Sequence, residues 1–273
     1  MPPTLPRPPI RRFGALRPLR QWLWPHVQQS ARDWASQGLD LLFPPTCVGC
    51  GQSGSHFCDL CAQQVQPVDP PLCAHCGRQQ DQPVARCSLC APSPDGSPNP
   101  AEMLTLSRAA TLFTWPIREA IHDLKYAGRR ELARSLSRYL VAAYQLSPWL
   151  ELAGQIDAVV PVPLHAERLA ERGFNQSELL AQAFAQTVGL ALEPTWLHRH
   201  RSTRPQVGLD AVGRRVNVQG AFWADDQVAG RSLLLVDDVY TTGATLAACA
   251  QVARSAGAIH VYALALALPT RKS

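Results

Sequence analysis

Two sets of residues in this 273-residue chain have the types and spacing to do chemistry. The first is eight cysteines in four Cys-x-x-Cys pairs, Cys47/Cys50, Cys58/Cys61, Cys73/Cys76 and Cys87/Cys90. A pair at this spacing brings two thiolates to one ion from a tight turn, and four thiolates make a tetrahedral zinc site. Gly51 and Gly77 each follow a pair, where a zinc knuckle needs an unusual backbone angle. Redox dithiols are the alternative. Four copies between positions 47 and 90, without a surrounding βαβ pattern, speak against them. Sequential pairing closes short loops, with seven residues between the first two pairs and ten between the last two. Interleaved pairing is the other scheme. His56 and His75 read as surface residues, because cysteine already supplies eight ligands.

The second set is an acidic pair, Asp237 and Asp238, followed by Thr241-Thr242-Gly243-Ala244-Thr245. A helix N-terminus offers free N–H groups and the positive end of the helix dipole, so it holds a phosphate well. Gly243 lets backbone approach closely, and three threonines add hydroxyl donors. The carboxylates accept only. They would repel a phosphate directly beside them but suit a vicinal diol. Ribose 5-phosphate satisfies both halves, with its diol on the acids and its phosphate on the loop. No Gly-Lys-Ser/Thr is present for a P-loop. An aspartyl-phosphate hydrolase wants acid, any residue, acid, whereas these acids are adjacent. The alternative is an ordinary strand-to-helix turn with two capping acids.

The flanking residues must position that pair. Leu233 to Val236 is an unbroken apolar run too short for a helix, which reads as a strand buried on both faces of a parallel sheet. Past the loop, Leu246, Cys249, Ala250 and Ala253 fall at helical spacing, and Gly257 is placed to cap the helix. Cys249 is unpaired and reads as a buried small hydrophobe. Strand, acidic pair, small loop and helix is where an open α/β sheet binds ligands. Upstream, Ala109 to Trp115 reads as a strand. Ile117 to Tyr126 reads as a helix, and Leu132 to Tyr144 as another. Lys125 stands out in a chain with 24 arginines and two lysines. It suits either a phosphate or a structural ion pair. Ile156 to Leu164 is an apolar strand that must end at Pro161 and Pro163. The sequence Glu171 to Gln176 then leads into a helix over Ser177 to Val188. Arg199 to Phe222 is polar with clustered arginines and reads as a solvated insertion or a functional loop. Ile259 to Leu268 is a last buried strand.

The hydrophobic share of 46% and charged share of 17% suit a soluble globular protein with one sizeable core and a small module. The formal charge of +5 sits mainly in the tail: residues 1–40 hold six arginines against two aspartates, and the remainder holds 20 bases against 19 acids. Net charge is therefore no argument for a nucleic-acid groove. Residues 1–22 are rich in Pro and Arg and read as a disordered tail. A helix follows over Ser30 to Phe43 and ends at Pro44-Pro45. No signal peptide and no transmembrane run is visible, so no membrane insertion and a cytoplasmic, thiol-reducing location are expected. APSPDGSPNP at 91–100 reads as a linker. The expected organisation is a tail and helix at 1–43, a zinc module at 44–91, a linker at 92–100 and an α/β domain at 101–273.

Here the residues carry a resemblance. VDDVYTTGAT resembles the phosphoribosyl-pyrophosphate (PRPP) loop of type I phosphoribosyltransferases. From about Leu41 onward the chain resembles the ComF family (competence protein ComFC and the similar GntX). The Leu-Lys-Tyr at 124–126 and the PVPL…RGFNQ stretch at 161–176 are similar to that family's motifs. The resemblance implies a type I phosphoribosyltransferase fold, a mainly parallel central sheet flanked by helices, with an N-terminal double zinc ribbon carrying two structural Zn²⁺. It implies PRPP binding by Asp237, Asp238, Val239, Tyr240, Thr241, Thr242, Gly243, Ala244 and Thr245, with Mg²⁺ brought by PRPP. It implies a pyrophosphate loop of Pro161, Val162, Pro163 and Leu164 with Arg168 and Arg172, the alternative for Arg172 being a surface salt bridge. Arg199 to Phe222 resembles the mobile loop that closes over PRPP, with Gln206, Arg214 and Asn217 on the matching pattern. Asp237, Asp238, Arg204 and Arg214 are the implied catalytic residues of a pentosyl-type glycosyltransferase. No motif marks its acceptor. The other implied role is non-catalytic handling of single-stranded DNA, with competence proteins as partners in DNA uptake.

Overall fold

This computed structural model describes residues 44–92, 99–201, 213, 217–218 and 220–270. The tail at 1–22, the helix at 30–43 and most of the linker lie outside them, as do Arg204, Gln206 and Arg214. The elements that bear on the site are, in chain order, α1 (Asp59–Ala62), β1 (Leu106–Leu112), α2 (Ile117–Tyr126), α3 (Leu132–Tyr144), α4 (Trp149–Leu152), β2 (Ala158–Pro161), α5 (Ala166–Arg172), α6 (Gln176–Val188), β3 (Ala191–Leu192), β4 (Leu197–Arg199), β5 (Phe222–Ala224), β6 (Ser232–Val239), α7 (Ala244–Ser255) and β7 (His260–Leu268). Among the described residues no helix is long and apolar enough to cross a membrane.

Five strands form one parallel sheet in the order β1-β7-β6-β2-β3. β6 and β7 lie in the middle and are apolar on both faces, as a parallel sheet covered on both sides demands. Alternation along them sorts the core. Leu233, Leu235, Val261, Ala263 and Ala265 pack with α7 residues Leu246, Cys249, Ala250 and Ala253. Leu234, Val236, Tyr262, Leu264 and Leu266 pack with α2, α3 and α6 through Ile121, Leu136, Leu180 and Phe184. Each fully buried Leu, Ile, Val or Phe among them contributes roughly 1.5–3 kcal/mol. Together they fix the strand, so that its two acids stand at the sheet's carboxyl end. The chain leaves β2 for β3 on one side and returns to β6 on the other. The crevice between the carboxyl ends of β2 and β6 is therefore a topological switch point, where open α/β sheets bind ligands.

Residues 46–91 pack against the sheet and extend both cores. Cys47, Phe57 and Cys61 join the α2/α3 side, and Cys73, Cys76, Cys87 and Cys90 join the α7 side. From Gln66 to His75 the chain runs along the free side of β1. The Leu112 amide donates to Gln66 O (2.8 Å), the Ser107 amide donates to His75 O (3.0 Å), and Pro67 bridges Thr111 antiparallel. The edge strand thus has hydrogen-bond partners on its outer side. At the other edge, β3 is two residues long.

Candidate functional site

The cysteines fall into the two groups that sequential pairing gives: Cys47, Cys50, Cys58 and Cys61, then Cys73, Cys76, Cys87 and Cys90. Within each group all four sulfurs lie within 4.8 Å of one another. A tetrahedron with zinc–sulfur bonds of about 2.3 Å has edges of about 3.8 Å. The Sγ separations Cys50–Cys58 (3.6 Å), Cys73–Cys90 (3.5 Å), Cys76–Cys87 (3.5 Å) and Cys87–Cys90 (3.6 Å) come close to that edge. Amides stabilise the thiolates: Cys58 N donates to Cys47 Sγ (3.3 Å) and Cys87 N to Cys73 Sγ (3.3 Å). Gly51 (φ 75°) and Gly77 (φ 66°) take the left-handed angle expected of them. The donor set fits two structural zinc ions. Neither group includes a histidine. His75 is half-buried with its Nε2 3.0 Å from Leu104 O, and His56 lies 3.2 Å from Glu131.

The acidic pair lies inside β6, one residue beyond its apolar run. Asp237 is in register with Ala265, and Val236 with Pro161. Both acids are buried, at 8% and 4% exposure, and both have partners. Ser177 Oγ and the Asp238 amide each donate to Asp237 Oδ1 at 2.9 Å. Asp238 forms an ion pair with Lys125, at the end of α2, and accepts from Gln176 Nε2 at 3.3 Å. Lys125 thus makes the structural pair, one of the two roles open to it in the sequence. Burial pushes Asp237 up, the neighbouring Asp238 charge adds to that, and its carboxyl stands at about 7. Burial acts on Asp238 too, but the Lys125 ammonium and its hydrogen bond hold that carboxyl below the usual range. Burial lowers Lys125, and Asp238 more than offsets it, so the ammonium stays charged. One carboxylate is thereby paired with a cation, and burial beside it favours the protonated form of the other.

The RGFNQ residues hold the neighbouring parts together. Gly173 ends α5 in the left-handed conformation at φ 77°. Phe174 is buried beneath the Arg130 guanidinium, 4.6 Å from its ring centre. Asn175 caps α6, with its Oδ1 accepting from Ser177 N at 3.1 Å, while its Nδ2 donates to Val162 O at 3.0 Å. One side chain thus ties the exit of β2 to the start of α6. Gln176 reaches Asp238. Arg172 donates to Gln176 Oε1 and lies over the Tyr126 ring at 5.4 Å, in place of a surface salt bridge. Lys125, Arg168 and Arg172 line one cavity of about 280 Å³ together with Tyr126, Gly128 and Phe174. Pro161 and Val162 are buried beneath this region, and Pro163 and Leu164 are half-buried.

Beyond β6, Tyr240 is 4% exposed and its hydroxyl accepts from Ser107 Oγ at 3.1 Å. Gly243 is the N-cap of α7 at φ 85°. A Cβ there would stand 2.6 Å from Tyr240 Cε2, so the space beside the glycine is taken by this chain's own ring. The Ala244 amide donates to Thr242 Oγ1 at 3.3 Å, a cap inside the loop. The polar stretch after Arg199 starts and ends in an antiparallel pair, β4 with β5, where Arg199 is in register with Phe222. His198 stacks on Trp223 at 4.2 Å, and Arg199 lies over Phe222 at 5.3 Å.

Sequence reasoning missed the β4–β5 pair, the use of Ser177 and Gln176 as partners of the acids, and Arg78, which donates to Thr241 O from the ribbon. The Trp196-Leu197 and Phe222-Trp223 clusters were a signal for the strand pair. Nothing local marks Arg78.

The double zinc ribbon family model matches residues 38–91. Over 213 residues the chain is 36% identical to DNA utilization protein YhgH of Salmonella typhimurium, covering 76% of this chain and 88% of that protein. It is 29% identical over 216 residues to competence protein F of Haemophilus influenzae, covering 77% of this chain and 90% of that protein. Among solved structures, that of the allosteric regulatory enzyme of purine biosynthesis is similar at 21% identity and a TM-score of 0.33, over 49% of this chain and 25% of that one.

Proposed function

The chain belongs to the ComF family, with DNA utilization protein YhgH and competence protein F, and we propose that it binds a phosphorylated ribose, PRPP or ribose 5-phosphate. The observation that carries this is the buried acidic pair at the β2/β6 switch point, followed by a left-handed glycine that opens a helix. In this reading the 5-phosphate sits on Thr241 to Thr245, where the first turn of α7 supplies N–H groups and a favourable dipole. The ribose diol donates to the acids, exchanging with Gln176 and the Lys125 ammonium on Asp238. Lys125 offsets one acidic charge, so the pair does not repel the phosphates. Mg²⁺ would arrive with the diphosphate and offset its charge, and the enclosed acids would meet the ribose.

The reaction these parts would serve is phosphoribosyl transfer. The C1–O bond breaks, diphosphate leaves with the electron pair, and an acceptor atom bonds to C1. Arg168 and Arg172, which line the cavity beside Lys125, would supply the counter-charge for the leaving group. Calorimetric titration with PRPP, ribose 5-phosphate and inorganic phosphate tests the reading. Both sugar phosphates should bind more tightly than phosphate alone. Binding of none of the three would sink it.

A second reading, handling of single-stranded DNA, has a specific observation in its favour besides the names of its relatives. Arg134 and Arg138 stand four residues apart on α3, about 6 Å along the helix, and Arg130 stands in the turn just before it. They border a groove of about 710 Å³ whose far wall is α6, with Gln182, Gln186 and Thr187. Arg130 is braced on Phe174 and Arg138 on Phe57 and Tyr139. A single strand could lay successive phosphates along that row.

A further inference from the structure

We propose that Arg78, carried by the second zinc knuckle, is the positioning residue of the Thr241–Thr245 loop, so that the ribbon forms part of the ligand site. The ligand consequence rests on the reading of that loop as a phosphate cradle. The contact geometry does not.

The knuckle is pressed onto β1. A Cβ at Gly77 would meet Ser107 O and Arg108 Cδ, each at 2.8 Å. Arg108 grips the same turn by donating to Ala74 O at 2.8 Å, and the Ser107 amide donates to His75 O at 3.0 Å. The Cys73 amide donates to Arg78 O at 2.8 Å, which fixes the backbone of Arg78 to the first ligand of the second sulfur group. From this platform the Arg78 guanidinium lies over the Tyr240 ring, 4.6 Å from its centre, and donates to Thr241 O. The Tyr240 ring in turn fills the space beside Gly243.

Two effects follow for the loop. A trans peptide is planar, with its C=O and N–H on opposite sides. Engaging Thr241 O with Arg78 therefore turns the Thr242 N–H away from the ribbon and keeps a carbonyl dipole from facing an anion. The stacked guanidinium also holds Tyr240 against Gly243, which sets where α7 begins. The four sulfurs of the second group lie in the same core as Tyr240 and Ala244, so the platform and the loop are packed as one body.

The test uses full-length, zinc-loaded protein with Arg78→Met, which keeps the stem but removes the donor and the charge, and Arg78→Lys, which restores both in part. Zinc content verifies that the ribbon is intact. Hydrogen exchange over residues 240–246 and calorimetric titration with ribose 5-phosphate are the readouts. Arg78→Met should speed exchange in that segment and weaken ribose 5-phosphate by at least about tenfold, the effect of losing one hydrogen bond from a charged donor. Arg78→Lys should recover part of each. Unchanged exchange in the methionine variant overturns the proposal, as does faster exchange with undiminished affinity. If the unaltered protein binds no ribose 5-phosphate, the cradle reading fails, and the exchange data still decide whether Arg78 positions the loop.

Discussion

Replacing Asp237 by asparagine separates what the ligand needs from what the fold prefers. In the folded chain this carboxyl stands at about 7, against an ordinary 3.8, because it is buried beside Asp238. The folded state therefore holds a proton that the unfolded state has released. Between those two values the folded form binds more protons, so stability falls as pH rises. With the two pKa values, the carboxyl costs about 2 kcal/mol more at pH 8.5 than at pH 5.5. Asparagine cannot ionise. Its Oδ1 can keep the bonds from Ser177 Oγ and the Asp238 amide, and its NH₂ can take over the hydrogen bond from Asp237 that helps to hold Asp238 ionised. Urea unfolding of both proteins at pH 5.5, 7 and 8.5 checks this. The range stays above the acid conditions in which thiolates protonate and release metal. The variant should gain about 2 kcal/mol on the unaltered protein across it, while its affinity for ribose 5-phosphate at pH 8.5 falls at least about tenfold. Parallel stability profiles refute the electrostatic argument. A variant that is more stable yet binds as well refutes the role of Asp237 in holding the ligand.

Elemental analysis should find two zinc ions per chain, and Cys73→Ser should lower that number to one. Lys125→Met leaves Asp238 buried without its cation and should destabilise the protein by about 3–5 kcal/mol. Adding Asp238→Asn should recover most of that, and a double-mutant cycle in urea measures the coupling. Gly243→Ala forces a Cβ against Tyr240 at φ 85°. It should weaken inorganic phosphate and ribose 5-phosphate alike by at least about tenfold, the strain being about 1–3 kcal/mol, whereas Asp237→Asn should spare inorganic phosphate. If a single-stranded oligonucleotide binds at α3, changing Arg130, Arg134 and Arg138 to Gln should reduce the log–log salt slope by about 2, at roughly 0.7 per phosphate contact. An unchanged slope in fluorescence anisotropy places any DNA elsewhere.

Much of this architecture could be read from local pattern. The helices at 117–126 and 132–144 coincide with the periodicity, because one face of each is buried and the other polar. The cysteine spacing marked the eight metal ligands but left sequential and interleaved pairing open, and the scarcity of lysine marked Lys125. β1 was harder. It runs over Leu106–Leu112, three residues earlier than its apolar content suggests. Its polar residues are satisfied at long range: Ser107 by Tyr240, Thr111 Oγ1 by Leu266 O at 2.8 Å, and Arg108 by the ribbon carbonyls of Ala74 and His75. β6 likewise continues through two acids because Lys125, Gln176 and Ser177 meet them. β4 and β5, at three residues each, are too short for a pattern to develop. Arg78 lies 163 residues from Thr241 in the chain. Only the folding of the ribbon onto β1 brings them together, and no local rule anticipates it.

The ribbon's run along the outer side of β1 makes metal supply a matter of solubility as well as of local folding. Residues 44–91 have too few large apolar side chains to stay ordered without their ions. In a chain that has not yet acquired zinc, or has lost it, Gln66, Pro67 and His75 would leave β1, and its outer amides and carbonyls would be open to another copy. A sheet edge in that condition templates intermolecular pairing. Metal-starved protein should therefore aggregate rather than persist as a free α/β core.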